Sequence, residues 1–272
     1  MQPITQRNDT LNPYRIGLSL VYHRLRYDLQ PFSRRNQRRV KALQNTQQGR
    51  KCVILCNGPS LNKVDFDALD RAGVYTIGLN KINLLFGRVA HRPNAIVCVN
   101  PHVIGQNARF FGETTIPVFL DYVTARQSGA DFNRLKANPA LHFLNSAYVH
   151  ARFAKDVSVS VCQGFTVTYV ALQLAYHLGF DQVALVGCDH TFAVKGTANQ
   201  EIRLAGKDHS HFDPNYFSPQ DTWQLPDLLG SEYHYQVARD EFLAAGRQLY
   251  NCTEGGKLEL FERKSLADFL AL

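Results

Sequence analysis

The sequence predicts an α/β protein: a Rossmann-like, mostly parallel sheet with helices on both faces and a long insertion. Three observations carry that expectation. Short continuous apolar runs recur along the chain and end in turn residues, as strands buried on both faces do. Segments of helical periodicity, Asp65 to Ala72, Thr166 to Leu178 and Ser231 to Gly246, lie between or after those runs. The two kinds of segment alternate, and alternation implies a parallel sheet wrapped by helices.

The runs come in order. Cys52-Val53-Ile54-Leu55-Cys56 is the first, closed by Asn57-Gly58-Pro59-Ser60, and Val74 to Gly78 is the second. Ala95 to Val99, Ile116 to Leu120 and Val183 to Gly187 complete the set. Before them, Tyr14, Leu18, Val21, Leu25 and Leu29 recur at helical spacing among arginines, which makes a basic amphipathic helix. Pro31 breaks it and leads into Ser33 to Arg39, expected to be a solvated charge run, and Gln44 to Gly49 is expected to be a polar linker. The chain therefore divides into a basic N-terminal helical arm, 1–50, and a body, 51–272. Within the body, Thr191 to Leu229 loses both periods and is rich in His, Asp, Pro, Gly and aromatics. A stretch of that length is expected to be a lid, about residues 190–230, that its aromatics fold onto something.

Composition narrows the classes. With 272 residues, 45% hydrophobic and 11% aromatic, the chain is not disordered, collagen-like or a disulfide miniprotein. The net charge of +7 is unevenly placed: residues 1–51 hold 11 Lys+Arg against Asp9 and Asp28, so the body is slightly acidic. A nucleic-acid groove over the body is therefore not expected, whereas the arm suits a phosphate-bearing surface. The six cysteines, at 52, 56, 98, 162, 188 and 252, have no zinc-site spacing and read as buried reduced thiols of a cytoplasmic protein. No apolar stretch approaches the ~20 residues of a membrane span, and no signal-peptide cleavage site follows the run Ile16 to Tyr22.

In such a sheet the ligand lies beyond the carboxyl ends of the strands, where strand order switches. The residues there form a consistent set: Asn57, Gly58 and Ser60 after the first run, Asn80 after the second, Asn100 after the third, and Gly187 and Asp189 after the last. Asparagine both donates and accepts, which suits a base, ribose or phosphate without added charge, although a strand-end Asn also simply caps a turn. Gly58 and Gly164 each precede a helical segment, so free N–H groups there can face an anion, and Thr166 can cap the helix or bond a ligand oxygen. Neither place is a P-loop or a three-glycine dinucleotide motif. Asp65-Phe66-Asp67 is nominally the metal-binding Asp-x-Asp of many glycosyltransferases, but it opens a helix, where acids cap.

Val53 to Leu61 with its Asn-Gly-Pro-Ser-Leu turn, Leu178-Gly179-Phe180 with Val183 to Asp189, and Ser210-His211-Phe212 together resemble the bacterial sialyltransferases of glycosyltransferase family 42. They also resemble the broader superfamily that includes archaeal 6-hydroxymethylpterin diphosphokinases and motility-associated glycosyltransferases. The likeness runs from about Lys51 to Leu260. It implies a CMP-sugar lying across Asn57, Ser60, Asn80, Asn100, Thr166, Gly187 and Asp189, with a lid histidine as base and no metal. The sequence departs from the sialyltransferase pattern at the base and at the phosphate-binding tyrosines, where it has Asp213-Pro214-Asn215-Tyr216-Phe217 and His190-Thr191-Phe192.

Candidates for the base are His211 first, His190 second, then His209 and His234, since imidazole titrates near working pH. A metal site of His209 and His211 with Asp189 or Asp213 is the competing reading of that cluster. The expected function is an inverting glycosyltransferase moving a sugar from a CMP-activated donor to a surface-glycan acceptor, with no cofactor. The alternative is transfer of diphosphate from ATP to a pterin alcohol, which requires Mg²⁺. For the arm, residues 14–41, packing on its own domain or a second subunit is the plainer reading, and an anionic surface at the inner face of the membrane the other.

Overall fold

The computed structural model describes residues 12–147, 152–190, 197–198, 200–203, 210–217 and 222–272. Two helices come first, α1 (Pro13–Asp28) and α2 (Pro31–Lys41). Asn12 caps α1 by accepting from the Tyr14 and Arg15 N–H groups, and proline stands at the start of both helices, where its missing N–H costs nothing. The body runs β1 (Lys51–Leu55), α3 (Phe66–Ala72), β2 (Tyr75–Leu79), β3 (Ala95–Cys98), α4 (Pro101–Gln106), α5 (Ala108–Glu113), β4 (Val118–Asp121), α6 (Tyr122–Gln127), α7 (Phe132–Ala137) and β5 (Leu141–Leu144). It continues through α8 (Val167–Leu178), β6 (Gln182–Val186), β7 (Glu201–Arg203), β8 (Thr222–Gln224), α9 (Leu228–Ala244), β9 (Gln248–Asn251), β10 (Glu262–Arg263) and α10 (Leu266–Ala271).

The main sheet has eight strands in the order β10-β9-β6-β1-β2-β3-β4-β5, and its pairings are parallel. Alternation along β1 feeds two cores. Cys52 and Ile54 join Tyr169 and Leu172 of α8 on one face, while Val53 and Leu55 join Leu69 of α3 and Phe111 of α5 on the other. All five predicted strands form, within two residues of the expected bounds, and the α/β class with helices on both faces holds.

The order from β1 to β5 builds outward in one direction, and β6 then returns to the other side of β1. The switch point therefore lies between β1 and β6, and a crevice opens at their carboxyl ends.

Several expectations need correction. The charge run is only half solvated: Arg34, Arg35 and Arg38 are exposed, but Ser33, Asn36 and Val40 form a buried face of α2. The Asn36 amide donates to the Phe143 carbonyl at 2.6 Å and accepts from the Phe143 N–H at 2.8 Å, closing the open edge of β5. Residues 44–49 are bound rather than loose, because the Asn45 and Gln47 N–H groups donate to His177 and Leu178 carbonyls at the end of α8. β5, β9 and β10 were not among the expected strands. The presumed lid contains the antiparallel pair β7 and β8, and its segment 210–217 is packed down, with Phe212, Tyr216 and Phe217 at most 5% exposed. Phe192 lies outside the described residues, as does the side chain of Trp223. All six cysteines are buried and unbridged, and no helix among the described residues is long and apolar enough to cross a membrane.

Candidate functional site

Beyond the ends of β1 and β6 the chain forms a partly open cavity of about 120 Å³. Gly58, Thr166, Gly187, Asp189 and His190, all singled out from sequence, stand on its wall, joined by Thr168 and by Ser231 and Tyr235 of α9. The switch point and the start of α8 thus meet.

Close backbone approach explains the glycines. A Cβ on Gly58 would lie 1.9 Å from Asp189 Oδ2 and 2.7 Å from the Gly187 carbonyl. Only the bare backbone lets the turn after β1 touch the turn after β6, where Gly58 N–H donates to Gly187 O at 2.9 Å. Gly187 itself has φ +68°, a conformation costly for other residues. Asp189 then reaches over the first turn: its Oδ2 accepts from the Ser60 hydroxyl at 2.8 Å and the Ser60 N–H at 3.2 Å. Ser60 is thereby a clamp between the two turns, and it is buried behind the cavity wall.

His190 follows with φ +54°, a left-handed backbone rare for a residue with a Cβ. Its Nε2 lies 2.8 Å from Glu232 Oε1 on α9, and its side chain is only 7% exposed while the carboxylate is 46% exposed. The imidazole is held by one carboxylate against the cavity. Phe165, with φ +62°, is a second left-handed non-glycine residue on that wall.

Hydroxyl groups cluster at the start of α8. Thr166 caps α8, its Oγ1 accepting from Thr168 N–H, and the Tyr235 hydroxyl lies 3.4 Å from the same oxygen. Burial first, then the nearby Cys188 thiol, raises Tyr235 well above the ordinary phenol pKa, so its proton stays on. A hydrogen bond to Cys188, then burial, push the Cys56 thiol well up, so Cys56 stays protonated in the wall.

Other sequence candidates sit elsewhere. Asn100 caps α4 by accepting from the His102 and Val103 N–H groups. Asn57 and Asn80 flank the crevice without lining the cavity, and each keeps a buried Oδ1 with no protein hydrogen-bond partner. Asn80 also has φ +51°. Gly164, with φ +56°, is needed for space, since a Cβ there would meet Tyr169 at 2.3 Å. His211 lies flat on the Tyr216 ring, centroids 4.1 Å apart, away from the cavity wall. His209 lies outside the described residues. His234 bonds the Gly230 carbonyl inside its own helix. Asp65 caps α3. Among the described residues no three His, Cys, Asp or Glu side chains gather to hold a metal ion.

Sequence reading missed Glu232, Tyr235, Lys81 and the loop after β9. Lys81 is buried and donates from Nζ to the Tyr216 carbonyl at 2.7 Å, pinning segment 210–217. In the loop after β9, Gly256 has φ +75° and packs against Asp189, whose carbonyl accepts from Lys257 N–H at 3.0 Å. The Gly255-Gly256 pair after the apolar Leu249-Tyr250 was the available signal.

A doubly wound sheet with a small cavity at its switch point defines a Rossmann-like class of α/β protein. The comparisons sharpen that class. The profile of the 6-hydroxymethylpterin diphosphokinase MptE-like family matches residues 31–195, more than half of the chain, and the chain belongs to that family. The match starts at α2, earlier than the resemblance read from Lys51. Among solved structures, the MAf glycosyltransferase from Magnetospirillum magneticum AMB-1 is similar in fold, with a TM-score of 0.50 and 16% identity over 86% of this chain and 38% of that one. The present chain thus spans well under half the length of that neighbour. No curated protein matches it in sequence.

Proposed function

We propose that the chain is a transferase that binds a CMP-activated sugar across the ends of β1 and β6 and passes the sugar, with inversion, to a glycan hydroxyl in the cytoplasm. The observation that carries this reading is the His190–Glu232 pair on the cavity wall. With Nε2 engaged by the carboxylate, Nδ1 is left to take the acceptor proton as the new bond to the anomeric carbon forms and the bond to phosphate breaks. Thr166, Thr168 and the protonated Tyr235 supply hydroxyls to the departing phosphate. The cavity's 120 Å³ is below the ~300–1,000 Å³ of whole-ligand pockets, so it takes the phosphate and sugar end. The nucleoside lies outward, towards Asn57 and Asn80 with their unpaired carbonyls. His190 replaces His211 as the preferred base in this reading. No metal or other cofactor takes part.

The family supports a second reading, diphosphate transfer from ATP to a pterin alcohol. Asp189 is the one carboxylate among the described residues on the cavity wall. In this reading it would help hold Mg²⁺ beside the phosphates. A thermal-shift panel with CMP, CDP, ATP and GTP, each with Mg²⁺ or EDTA, separates the two. Stabilisation by CMP that survives EDTA supports glycosyl transfer; stabilisation by ATP that requires Mg²⁺ replaces it with the diphosphokinase.

A further inference from the structure

Helix α1 presents an apolar stripe that the fold does not use. Tyr14, Leu18, Val21, Tyr22, Leu25 and Leu29 are each at least 50% exposed. At 100° per residue they fall within about 100° of one another around the helix axis. Tyr27 faces the other way: it is 3% exposed and packs edge-on against Tyr122, with ring centroids 4.8 Å apart. Arg24 also ties that side down, donating to the Val159 carbonyl. The last turn of α1 is thus anchored, and its stripe is turned outward by the same helical geometry that buries Tyr27.

Charge identifies what covers the stripe. Between residues 12 and 41 stand Arg15, Arg24, Arg26, Arg34, Arg35, Arg38, Arg39 and Lys41, against the single acid Asp28. Arg15 and Arg26, three turns apart, border one edge of the stripe, and Arg34, Arg35 and Arg38 are exposed on the adjoining α2. Asp28 is neutralised by Arg24 at 2.6 Å. A second copy would bring two such cationic surfaces together, which like-charge repulsion opposes. An anionic bilayer surface satisfies both halves of the pattern, taking the apolar side chains into its acyl boundary and the guanidinium groups among its phosphates. We propose that α1 lies in the interface of an anionic membrane, with the α2 arginines resting on the headgroups, so that the body and its crevice are held at a lipid surface. The apolar stripe is a single interfacial helix, shorter than a membrane span.

The test uses the full chain and vesicles of equal parts phosphatidylglycerol and phosphatidylcholine, beside vesicles of phosphatidylcholine alone. Sedimentation with the anionic vesicles is expected, falling with added salt, and at least ~tenfold weaker with phosphatidylcholine. Leu18→Asp with Leu25→Asp, and separately Arg35→Glu with Arg38→Glu, should each weaken binding by a comparable factor. All four side chains are exposed, so the melting temperature should hold. Equal binding to both vesicle types, or none to either, overturns the proposal. A concentration-dependent dimer that Leu18→Asp dissociates overturns it too, because a second copy then covers the stripe. Point variants are needed, since deleting the arm would also remove Asn36 from the edge of β5.

Discussion

Glu232 places its Oε1 2.8 Å from His190 Nε2 across 42 residues of sequence, so that a carboxylate on α9 sets the ring of a histidine at the end of β6. The carboxylate is partly exposed and the ring is nearly buried. The pair is therefore asymmetric. Solvent screens the acid, while the imidazole takes its orientation from one partner.

Glu232→Gln keeps the shape and removes the charge. Under the proposed reaction, kcat should fall ~10–100-fold with KM for the donor little changed, because the carboxylate orients the ring for the proton-transfer step rather than for donor binding. His190→Ala should cost more, and adding Glu232→Gln to it should cost nothing further, since the two act as one unit. Steady-state kinetics of the two single variants and the double variant read this directly. Additive losses would separate Glu232 from His190.

At Gly58 the outcome is set by space rather than backbone angle, because its φ is an ordinary −72°. Gly58→Ala would drive a methyl into Asp189 Oδ2 and the Gly187 carbonyl. The two turns must part, and the Ser60–Asp189 clamp is lost with them. Stability should drop by about 1–3 kcal/mol, and stabilisation by the bound nucleotide should disappear. Ser60→Ala removes one donor and should cost about 1 kcal/mol. Denaturant titration with and without nucleotide distinguishes these effects.

What could be read beforehand follows from where the signal is local. Cys52 to Leu55 and Val183 to Val186 needed only their own apolar character, and Gly187 to Asp189 announced a strand end by composition. Leu141 to Leu144 did not, because His142 interrupts the run and its other half is supplied by Asn36, 107 residues away. The arm was divided from the body by charge, yet the charge sits on one face of α2 while the packing residues Ser33, Asn36 and Val40 sit on the other. Glu232 and Tyr235 were hidden inside an ordinary amphipathic helix, where no pattern distinguishes a residue facing a cavity from one facing a core. The plainer reading of Asn100 as a cap was the one that the fold realises.

His142 makes stability fall in acid. Burial first, then the Arg39 charge, lowers its pKa from 6.5 to about 4, and its buried Nδ1 has no protein partner. The unfolded chain therefore takes up this proton before the folded one does. The contribution is fully present above pH 6.5 and is lost as pH falls towards 4. The loss should be of order 1–3 kcal/mol. The ring stacks on Phe119 with centroids 4.8 Å apart and planes 15° apart, so His142→Phe preserves the packing. Melting curves at pH 7.5 and pH 4.5 should show a smaller gap for the variant than for the native chain. An unchanged gap would place the acid sensitivity elsewhere.

Asn36 provides the last prediction, because it decides whether α2 belongs to the fold or merely lies beside it. Its side-chain amide meets both the N–H and the carbonyl of Phe143, as another strand would. Arg39 adds donors to the Leu141 and Pro139 carbonyls. Asn36 is 3% exposed, so Asn36→Leu leaves a buried N–H and a buried carbonyl unpaired, at a cost of about 2–4 kcal/mol. Lys41→Ala breaks an ion pair to Asp156 whose lysine is 54% exposed, and should cost at most about 0.5 kcal/mol. Hydrogen exchange should show the Phe143 amide losing protection in Asn36→Leu and keeping it in Lys41→Ala. If Asn36→Leu leaves that amide protected, the edge of β5 is closed by something other than α2, and the helix is an appendage despite the family match beginning at residue 31.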